Sequence, residues 1–295
     1  MSRYGTNYQN LQNSHPCLGA APNNFGRVHL PVSPGCNICC RFCYRAINSV
    51  EERPGVTAQV IRPEDSVRVL KKALELCPEI TVAGIAGPGD TLATSTALET
   101  FRIVDREYPE LIKCMSTNGL LLAEKAEEII DLRIDSLTVT VNAVDPEIEA
   151  KLNKWIVYHG RKIEGEEAAR ILIRNQLEGI RKVAEAGTTV IKVNSVLVPG
   201  INEDHIPTIA KTVADLGASI YNIIPLIPQY ELKDVPAPDC ELIDRVRTEA
   251  GRYLDVFRHC ARCRADAVGV PGRSEYSRSV YENLPVGGKE PFSHG

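Results

Sequence analysis

The chain has 295 residues, and its 34 lysines and arginines stand against 38 aspartates and glutamates, a formal net charge of −4. Because no long basic run appears, a nucleic-acid partner is not expected. No apolar run approaches the roughly 18 residues that a membrane span needs. The polar N-terminus lacks the apolar region of a signal peptide, so we predict a soluble, cytoplasmic protein with no membrane partner.

Strand and helix patterns alternate along most of the chain. Apolar strands are predicted at 27–33, 80–86, 111–117, 136–141, 189–198 and 219–227. Helices with apolar residues at i, i+3 and i+4 spacing are predicted at 63–76, 96–108, 123–132, 168–186 and 203–216. Apolar strands joined by helices indicate a parallel sheet covered on both faces. Six such units fit a partial (β/α)6 TIM-like barrel, in which ligands bind at the C-terminal strand ends.

Three regions are expected along the chain. Residues 27–258 form the barrel, and within it 143–166 is expected to be a long charged connection. An N-terminal extension, residues 1–26, precedes the barrel, and a C-terminal extension, residues 259–295, follows it. The tail of that extension, after Gly269, is expected to be flexible.

The segment SPGCNICCRFCYR, residues 33–45, carries four of the ten cysteines. Reduced cytosolic thiols in such a cluster indicate metal binding rather than disulfides. The cysteines can be grouped as two CxxC pairs, Cys36/Cys39 and Cys40/Cys43, or as CxxxCxxC, from Cys36, Cys40 and Cys43. Zinc sites usually separate two CxxC halves by about a dozen residues, so one short loop suits zinc poorly. Three thiolates can instead hold three irons of a cubane and leave the fourth iron open.

CxxxCxxC after the first strand, with Phe42 before the last cysteine, resembles the signature of the radical S-adenosylmethionine (SAM) superfamily. The resemblance implies a [4Fe-4S] cluster whose open iron binds SAM and whose electron cleaves it to a 5′-deoxyadenosyl radical. The segment AGIAGPGD, residues 83–90, stands where the superfamily has a glycine-rich SAM-contacting loop, which makes Gly87, Gly89 and Asp90 candidates. The alternative is a plain strand-to-helix turn.

Small polar residues at or near the ends of later strands are further candidates for binding SAM. Their side chains could bond its ribose and carboxylate, or they could simply cap strand ends. These candidates are Thr117, Asn118, Thr140, Asn142, Asn194 and Ser195.

Four cysteines outside the first motif are candidate metal ligands. Cys17 follows His15 in HPC, Cys114 lies in the third strand, and Cys260 and Cys263 form the motif CARC. Cys114 could instead be a buried apolar residue. The second CxxC could be redox active, but no thioredoxin-like strand–CxxC–helix order surrounds it. The remaining two cysteines, at positions 77 and 240, are expected to be structural.

Together these pieces resemble the NifB family of nitrogenase cofactor biosynthesis proteins. The matching segments are HPC (15–17), PGCNICCRFC (34–43), ERPGV (52–56), AGPGD (86–90), STNGL (116–120), KVNSVLVPGIN (192–202) and CARCRADAVG (260–269). The resemblance implies that two [4Fe-4S] clusters are fused into an eight-iron core with a SAM-derived carbide and an extra sulfur. Such an enzyme needs an electron donor such as ferredoxin, an iron–sulfur donor and a separate product-carrier protein.

The resemblance also implies how the ligands are shared. Cys36, Cys40 and Cys43 hold the SAM-cleaving cluster. Cys17 and Cys114, with His15, hold one substrate [4Fe-4S] cluster, and Cys260 and Cys263 hold the second. The thiols expected to take part in catalysis are Cys36, Cys40, Cys43 and Cys263.

One family ligand is missing from this chain. The family usually has a further cysteine between the first motif and RPG, where this chain reads RAINSVEE, residues 45–52. Cys39 is either its substitute or a packed thiol. Two functional alternatives also remain: another radical SAM enzyme with auxiliary clusters, of the peptide-modifying kind, and a non-enzymatic iron–sulfur scaffold.

The ligand count makes a testable prediction. Three cubanes correspond to about twelve irons per reconstituted chain, at four irons each. Cys260→Ala is expected to lose only part of this iron and to keep reductive cleavage of SAM, because its thiol belongs to a different site from the first motif. Iron analysis and a 5′-deoxyadenosine assay measure both quantities. Loss of all iron would contradict separate sites.

Overall fold

The computed structural model describes residues 5–19 and 24–282, with no side-chain description for 5–7. Thirteen strands are present in this part of the chain, and most of them alternate with helices. In chain order they are β1 (Gly26–His29), β2 (Ile38–Cys40), β3 (Ala46–Ile47), β4 (Val56–Thr57), β5 (Ile80–Ile85), β6 (Ile112–Thr117), β7 (Ser136–Thr140), β8 (Asn153–Tyr158), β9 (Arg161–Glu164), β10 (Val190–Leu197), β11 (Ile220–Pro225), β12 (Asp255–Val256) and β13 (Val268–Gly269).

The helices of the described residues are mostly amphipathic. They are α1 (Gly5–Gln12), α2 (Ser66–Leu76), α3 (Thr96–Glu107), α4 (Leu122–Asp131), α5 (Pro146–Leu152), α6 (Gly165–Ala186), α7 (Ile206–Asp215), α8 (Cys240–Ala250) and α9 (Ser277–Tyr281). No helix in the described ranges has both the length and the apolar character that crossing a membrane requires.

An eight-stranded sheet forms the centre of the molecule, in the order β12-β11-β10-β7-β6-β5-β1-β13. Neighbouring strands are parallel throughout, except that β13 runs antiparallel to β1. The six predicted barrel strands are all present, and the predicted α/β class is confirmed. The sheet gains two short edge strands, β12 and β13, that the sequence pattern did not reveal.

The two faces of the sheet differ in polarity. Successive side chains of a strand alternate between faces. One face carries buried apolar residues such as Met115, Val139 and Val193, which pack in the main core with the helices. The register of paired strands places a group of mostly polar residues together on the opposite face, called here the inner face. Its residues include Arg27, His29, Cys114, Thr138, Lys192, Asn194 and Asn222.

The connection at 143–166 is more ordered than predicted. Asp145 caps α5 by accepting hydrogen bonds from the amides of Glu147 (2.8 Å) and Ile148 (3.3 Å). After α5, β8 and β9 form a hairpin whose turn residues His159 and Gly160 both have positive φ. Such turns match the twist of the paired strands. β8 also pairs antiparallel with β2, so the hairpin extends from the strand that carries the first cysteine motif.

The expectation of a flexible tail after Gly269 is wrong for residues 270–282. Val280 and Tyr281 in α9 are buried, and the Tyr281 hydroxyl donates to the His29 carbonyl. Glu275 accepts hydrogen bonds from the amides of Val268 (2.9 Å) and Ser277 (3.0 Å). These contacts hold the segment against β1 and β13. The rest of the predicted tail, 283–295, lies outside the described residues.

Helix α6 contacts α4 closely at Gly179, and this contact makes a testable prediction. A Cβ at position 179 would lie 2.4 Å from Leu122 Cγ and 2.8 Å from the Ala123 amide nitrogen. Gly179→Ala is therefore expected to lower the free energy of unfolding by about 1–3 kcal/mol, despite the roughly 1 kcal/mol that alanine gains in a helix. Denaturant unfolding measures the change. Glu178→Ala, on the exposed side of α6, is the control and should stay within about 0.5 kcal/mol.

Candidate active site

The first cysteine motif forms a loop that the hairpin supports. Cys40 is the register partner of Asn153 in β8, and the Arg41 amide donates to the Leu152 carbonyl (2.8 Å). A turn follows, in which the Cys43 amide donates to the Cys40 carbonyl (3.1 Å). The loop therefore has a defined backbone, and all three cysteines of CxxxCxxC belong to it.

The glycine-rich segment after β5 packs directly on this cysteine loop. The Gly89 amide donates to the Ser33 carbonyl (2.6 Å), and the Asp90 amide donates to the Gly35 carbonyl (2.7 Å). A Cβ on Gly89 would lie 1.9 Å from the Gly35 oxygen, which leaves no room for any other residue. Gly87 has φ of +115°, a conformation that favours glycine. Because Gly89 has no side chain, the two loops can lie in direct backbone contact at this position.

Asp90 is occupied by hydrogen bonds between the ends of β5 and β6. Its buried carboxylate accepts from the Thr117 hydroxyl (3.0 Å), the Asn118 amide (2.5 Å) and the Leu92 amide (3.0 Å). Burial raises the pKa of Asp90, and these donors oppose that rise. The side chains of Asp90 and Thr117 thus hold the ends of β5 and β6 together. The sequence interpretation predicted for both residues only a contact with SAM.

Asn118 links the end of β6 to the cysteine loop. Its Nδ2 lies 3.7 Å from Cys36 Sγ and donates to Asn37 Oδ1 (2.7 Å), while its Oδ1 accepts from the Leu120 amide (2.8 Å). Burial raises the pKa of Cys36 to about 11, and the guanidinium of Arg45 opposes that rise. A donor to the sulfur and a nearby positive charge both favour a thiolate ligand.

The predicted strand-end residues fall into two groups. Thr140 and Asn194 are register partners on the inner face, where Asn194 Oδ1 accepts from Asn222 Nδ2 (3.1 Å). Asn142 uses its Oδ1 to accept from the Val196 amide (2.9 Å). Ser195 points to the opposite face.

The prediction that Ser195 binds SAM is therefore not supported by its position. It is fully buried on the face that packs against the helices, because strand alternation separates it from Asn194. Its hydroxyl donates to the Val141 carbonyl and accepts from the Tyr221 hydroxyl (2.7 Å).

Phe42 lies between the cysteine loop and the ends of β10 and β11. Its ring packs against an apolar cluster that includes Leu152, Val198 and Leu226, and its carbonyl accepts from Gln229 Nε2 (2.9 Å). The ring thereby places apolar surface beside the three thiols of the motif.

These residues fit the cluster that the motif implies. Three thiols come from one loop, Asn118 donates to one of them, and Arg45 lowers the pKa of both Cys36 and Cys43 against the effect of burial. Within the described ranges, no group of three or more histidine, cysteine or acidic side chains is arranged to hold a single metal ion. A cubane binds each thiolate at a separate iron.

A second group of thiols lies together, although its members are far apart in sequence. Burial raises the pKa of Cys17 to about 12; the Lys192 ammonium opposes the rise, and the thiols of Cys263, Cys114 and Cys260 add to it. Cys17 is therefore close enough to interact electrostatically with each of the other three, and the four are called here the four-cysteine cluster. Thr81 in β5 holds the HPC segment in place, because its hydroxyl donates to the Ser14 carbonyl (2.6 Å).

The two histidines near this cluster present different nitrogens. The Cys17 amide donates to Nδ1 of His15 (3.0 Å), which places the proton of the neutral ring on Nε2. In this orientation the Cys17 amide occupies Nδ1 of His15, and the ligand role of His15 stays a prediction. His29 bonds the Arg264 carbonyl through Nδ1 (3.0 Å), which requires a proton on Nδ1 and leaves a lone pair on Nε2.

His29 was missed by the sequence interpretation. It lies on the inner face, in register with Gly84 of β5 and through it with Cys114 of β6. Burial lowers its pKa to about 4, so the ring is neutral at physiological pH. A histidine seven residues before Cys36, in a strand of alternating polarity, was the available signal.

Cys39 lies near enough to Cys40 and Cys43 to raise the pKa of both thiols, but its own surroundings differ from theirs. It is fully buried, and its Sγ lies 4.0 Å from the Tyr230 hydroxyl. Its neighbours in β2, Ile38 and Cys40, pack instead with apolar residues such as Ile156, because adjacent residues of a strand face opposite sides. Cys39 thus has the surroundings of a packed thiol. Cys77 is likewise buried, and Cys240 is exposed at the start of α8.

Arg264, next to the second CxxC motif, fastens that motif to the segment before RPG. Its guanidinium donates to the carbonyls of Glu51 (2.6 Å) and Asn48 (2.8 Å) and to Asp266 Oδ1 (2.8 Å). Asp266 in turn accepts from the Ala58 amide (2.6 Å). The region where the family's missing cysteine would stand is therefore held beside Cys263.

Comparisons with known proteins give the class of protein. The profile of the Radical SAM superfamily matches residues 30–213. The chain superposes on a radical SAM methyltransferase from Sphaerobacter thermophilus with a TM-score of 0.58 and 18% identity, covering 78% of this chain and 64% of that one. It also superposes on Streptococcus suis SuiB bound to S-adenosylmethionine with a TM-score of 0.58 and 12% identity, covering 90% and 54%. The fold and the cysteine motif thus define a radical SAM enzyme.

Sequence relatives give the family within that class. The chain is 46% identical over 278 residues to the FeMo cofactor biosynthesis protein NifB of Methanocaldococcus infernus, covering 93% of this chain and 91% of that protein. It is 43% identical over 294 residues to NifB of Methanocaldococcus jannaschii, covering 97% of each. Azotobacter vinelandii NifB is 37% identical and is covered over 56% of its length. The chain belongs to the NifB family.

The contact between Gly89 and Gly35 makes a sharp prediction. Gly89→Ala is expected to lose about four irons, one cubane, because its Cβ would displace the cysteine loop. Gly35→Ala is the matched control: its Cβ would lie 3.6 Å from the Thr94 methyl, an ordinary contact. Iron analysis of the two reconstituted variants compares them. Equal iron in both would contradict the importance of this contact.

Proposed function

We propose that this chain fuses two [4Fe-4S] clusters and inserts a SAM-derived carbide and an extra sulfur, forming the eight-iron precursor of the nitrogenase cofactor. Its relatives bear the name FeMo cofactor biosynthesis protein, and the proposal extends that role to this chain. The reaction requires a SAM-cleaving cluster and bound substrate clusters within reach of one another.

The observation that carries the proposal is that β6 connects the two groups of thiols. Cys114 belongs to the four-cysteine cluster, and Asn118, four residues later, donates to Cys36. Four residues of extended chain span about 13 Å. Substrate bound at Cys114 would thus lie about that far from the first motif, a distance that a bound SAM molecule helps to bridge.

The first motif would hold the resident cluster through Cys36, Cys40 and Cys43. That cluster supplies, when bound, the electron that cleaves SAM. Asn118 orients Cys36 through its hydrogen bond to the sulfur, and such bonds also tune a cluster's reduction potential. Phe42 excludes water from one side of the motif, and the inner-face amides of Asn194 and Asn222 provide polar groups for a bound ligand.

The four-cysteine cluster would hold the substrate clusters. A permanent cubane normally has about four cysteine ligands, so two would have about eight. The four thiols of this cluster, with His29 Nε2 as a further ligand, are fewer. Incomplete ligation suits clusters that must merge and leave. Buried Lys192 on the inner face, 5.4 Å from the Phe257 ring centroid, offsets the negative charge that thiolates bring to the site.

The same proposal includes the partners. A ferredoxin-like electron donor, an iron–sulfur donor and a product carrier would each exchange electrons or clusters with this chain. The expected division into 1–26, 27–258 and 259–295 assigns thiols of the second group to both extensions, with Cys114 contributed by the barrel.

A product assay tests the proposed reaction. Anaerobic protein reconstituted with iron and sulfide is treated with SAM and a reductant, and both 5′-deoxyadenosine and S-adenosylhomocysteine are expected. Cys43→Ala should abolish 5′-deoxyadenosine, because the SAM-cleaving cluster loses a ligand. Cys263→Ala should retain it while the carbide-containing product is lost. Formation of 5′-deoxyadenosine without S-adenosylhomocysteine would indicate a different radical SAM enzyme, and formation of neither product would indicate a scaffold.

A further inference from the structure

A cavity of about 500 Å³ lies beside Cys263, near the edge of the sheet where β1 pairs with β13. Cys263 lines this cavity, whereas Cys17, Cys114 and Cys260 do not. All four cysteines of the four-cysteine cluster are partly buried. Cys263 is thus the thiol through which this cavity meets the cluster.

The wall of the cavity carries more positive than negative charge. Its charged residues are Arg27, Arg262, Arg264, Arg273, Glu52 and Glu275. Arg264 is engaged with Asp266 behind the wall. Arg262 and Arg273 are exposed, and Arg273 bonds the neutral side chain of Asn24 (2.5 Å). The charge of Arg273 also lowers the pKa of Glu79, which does not line the cavity.

Arg27 brings a buried positive charge to the thiol itself. Its side chain is almost fully buried; Nη1 donates to the Gly269 carbonyl (2.6 Å) and Nη2 donates to Cys263 Sγ (3.4 Å). Glu275, 3.4 Å from Nη2, is its carboxylate partner. A charge-assisted bond from a fixed guanidinium favours an anionic group at this sulfur.

We propose that this cavity is the port through which a substrate iron–sulfur cluster enters and leaves the four-cysteine cluster, with Arg27 holding the anionic cluster at Cys263. The proposal rests on the proposed function for the identity of the cargo. Thiolate-ligated cubanes carry net negative charge. A wall with more arginines than glutamates raises the local concentration of such an anion.

The exchange at the port is balanced without an oxidant or reductant. An Fe–S bond to Cys263 forms as the bond from the same iron to the donor's thiolate breaks. The proton of the Cys263 thiol passes to the released thiolate. The reverse exchange releases the product to a carrier.

The first test measures access to Cys263 in the iron-free full chain. The dianionic reagent 5,5′-dithiobis(2-nitrobenzoate) and the uncharged reagent 4,4′-dithiodipyridine are compared, with peptide mass spectrometry to follow each cysteine. The double variant R262E/R273E is expected to slow the dianionic reagent at Cys263 about tenfold at low salt and less at high salt. The uncharged reagent at Cys263, and both reagents at exposed Cys240, should change less than about twofold.

The second test measures loading itself, with a synthetic thiolate-ligated [4Fe-4S] cluster as the probe. R262E/R273E should take up this cluster about tenfold more slowly at low salt. The charge-matched control is R252E/R258E, in a separate cavity of about 400 Å³ beside β12 that no cysteine lines. That control should load at the parent rate. Arg27→Gln tests the inner group and should retain about four fewer irons, with thermal unfolding used to check its fold.

The outcomes separate the port from the proposed reaction. Equal slowing by both double variants, or no slowing by R262E/R273E, would overturn the port even if the parent forms S-adenosylhomocysteine and the carbide product. Selective slowing with no such products in the parent would support the port and overturn the proposed reaction. The surface variants keep the port testable if Arg27→Gln fails to fold.

Discussion

The site depends on the contact between the backbone of Gly89 and the carbonyl of Gly35. This contact joins the glycine-rich loop after β5 to the loop that carries Cys36, Cys40 and Cys43. Two backbone hydrogen bonds, from the amides of Gly89 and Asp90, lie on either side of it. Because the two loops approach so closely, the positions of the three thiols depend on the end of β5 as well as on the cysteine loop itself.

Hydrogen bonds carry this positioning across the neighbouring strand ends. Asp90 accepts from Thr117 and from the Asn118 amide, and Asn118 in turn donates to Cys36. Gln176 of α6 donates to the carbonyls of Asn118 and Thr140 (2.8 Å each), so the helix layer supports the same ends. Residues that sequence reasoning grouped as SAM ligands thus include several whose side chains hold the site together.

The second group of thiols is brought together from three separate segments of the chain. Cys17 comes from the N-terminal segment, Cys114 from β6, and Cys260 and Cys263 from the segment before β13. Arg264 and Asp266 fasten that last segment to residues 48–58. The residues on either side of RPG are thus joined to CxxCRAD: Asn48 and Glu51 supply carbonyls and Ala58 supplies an amide, and the side chains of Arg264 and Asp266 bond them.

The sequence by itself determined the α/β class, the six parallel strands and the family, because strand and helix periodicities and cysteine spacing are local properties of the chain. Tertiary structure decided what local patterns do not contain. Register and alternation placed Ser195 on the helix side and His29 on the inner face. The pairing of β2 with β8 turned a predicted connection into support for the motif. Cys39, next to Cys40 in β2, points to Tyr230 because adjacent residues of a strand face opposite sides.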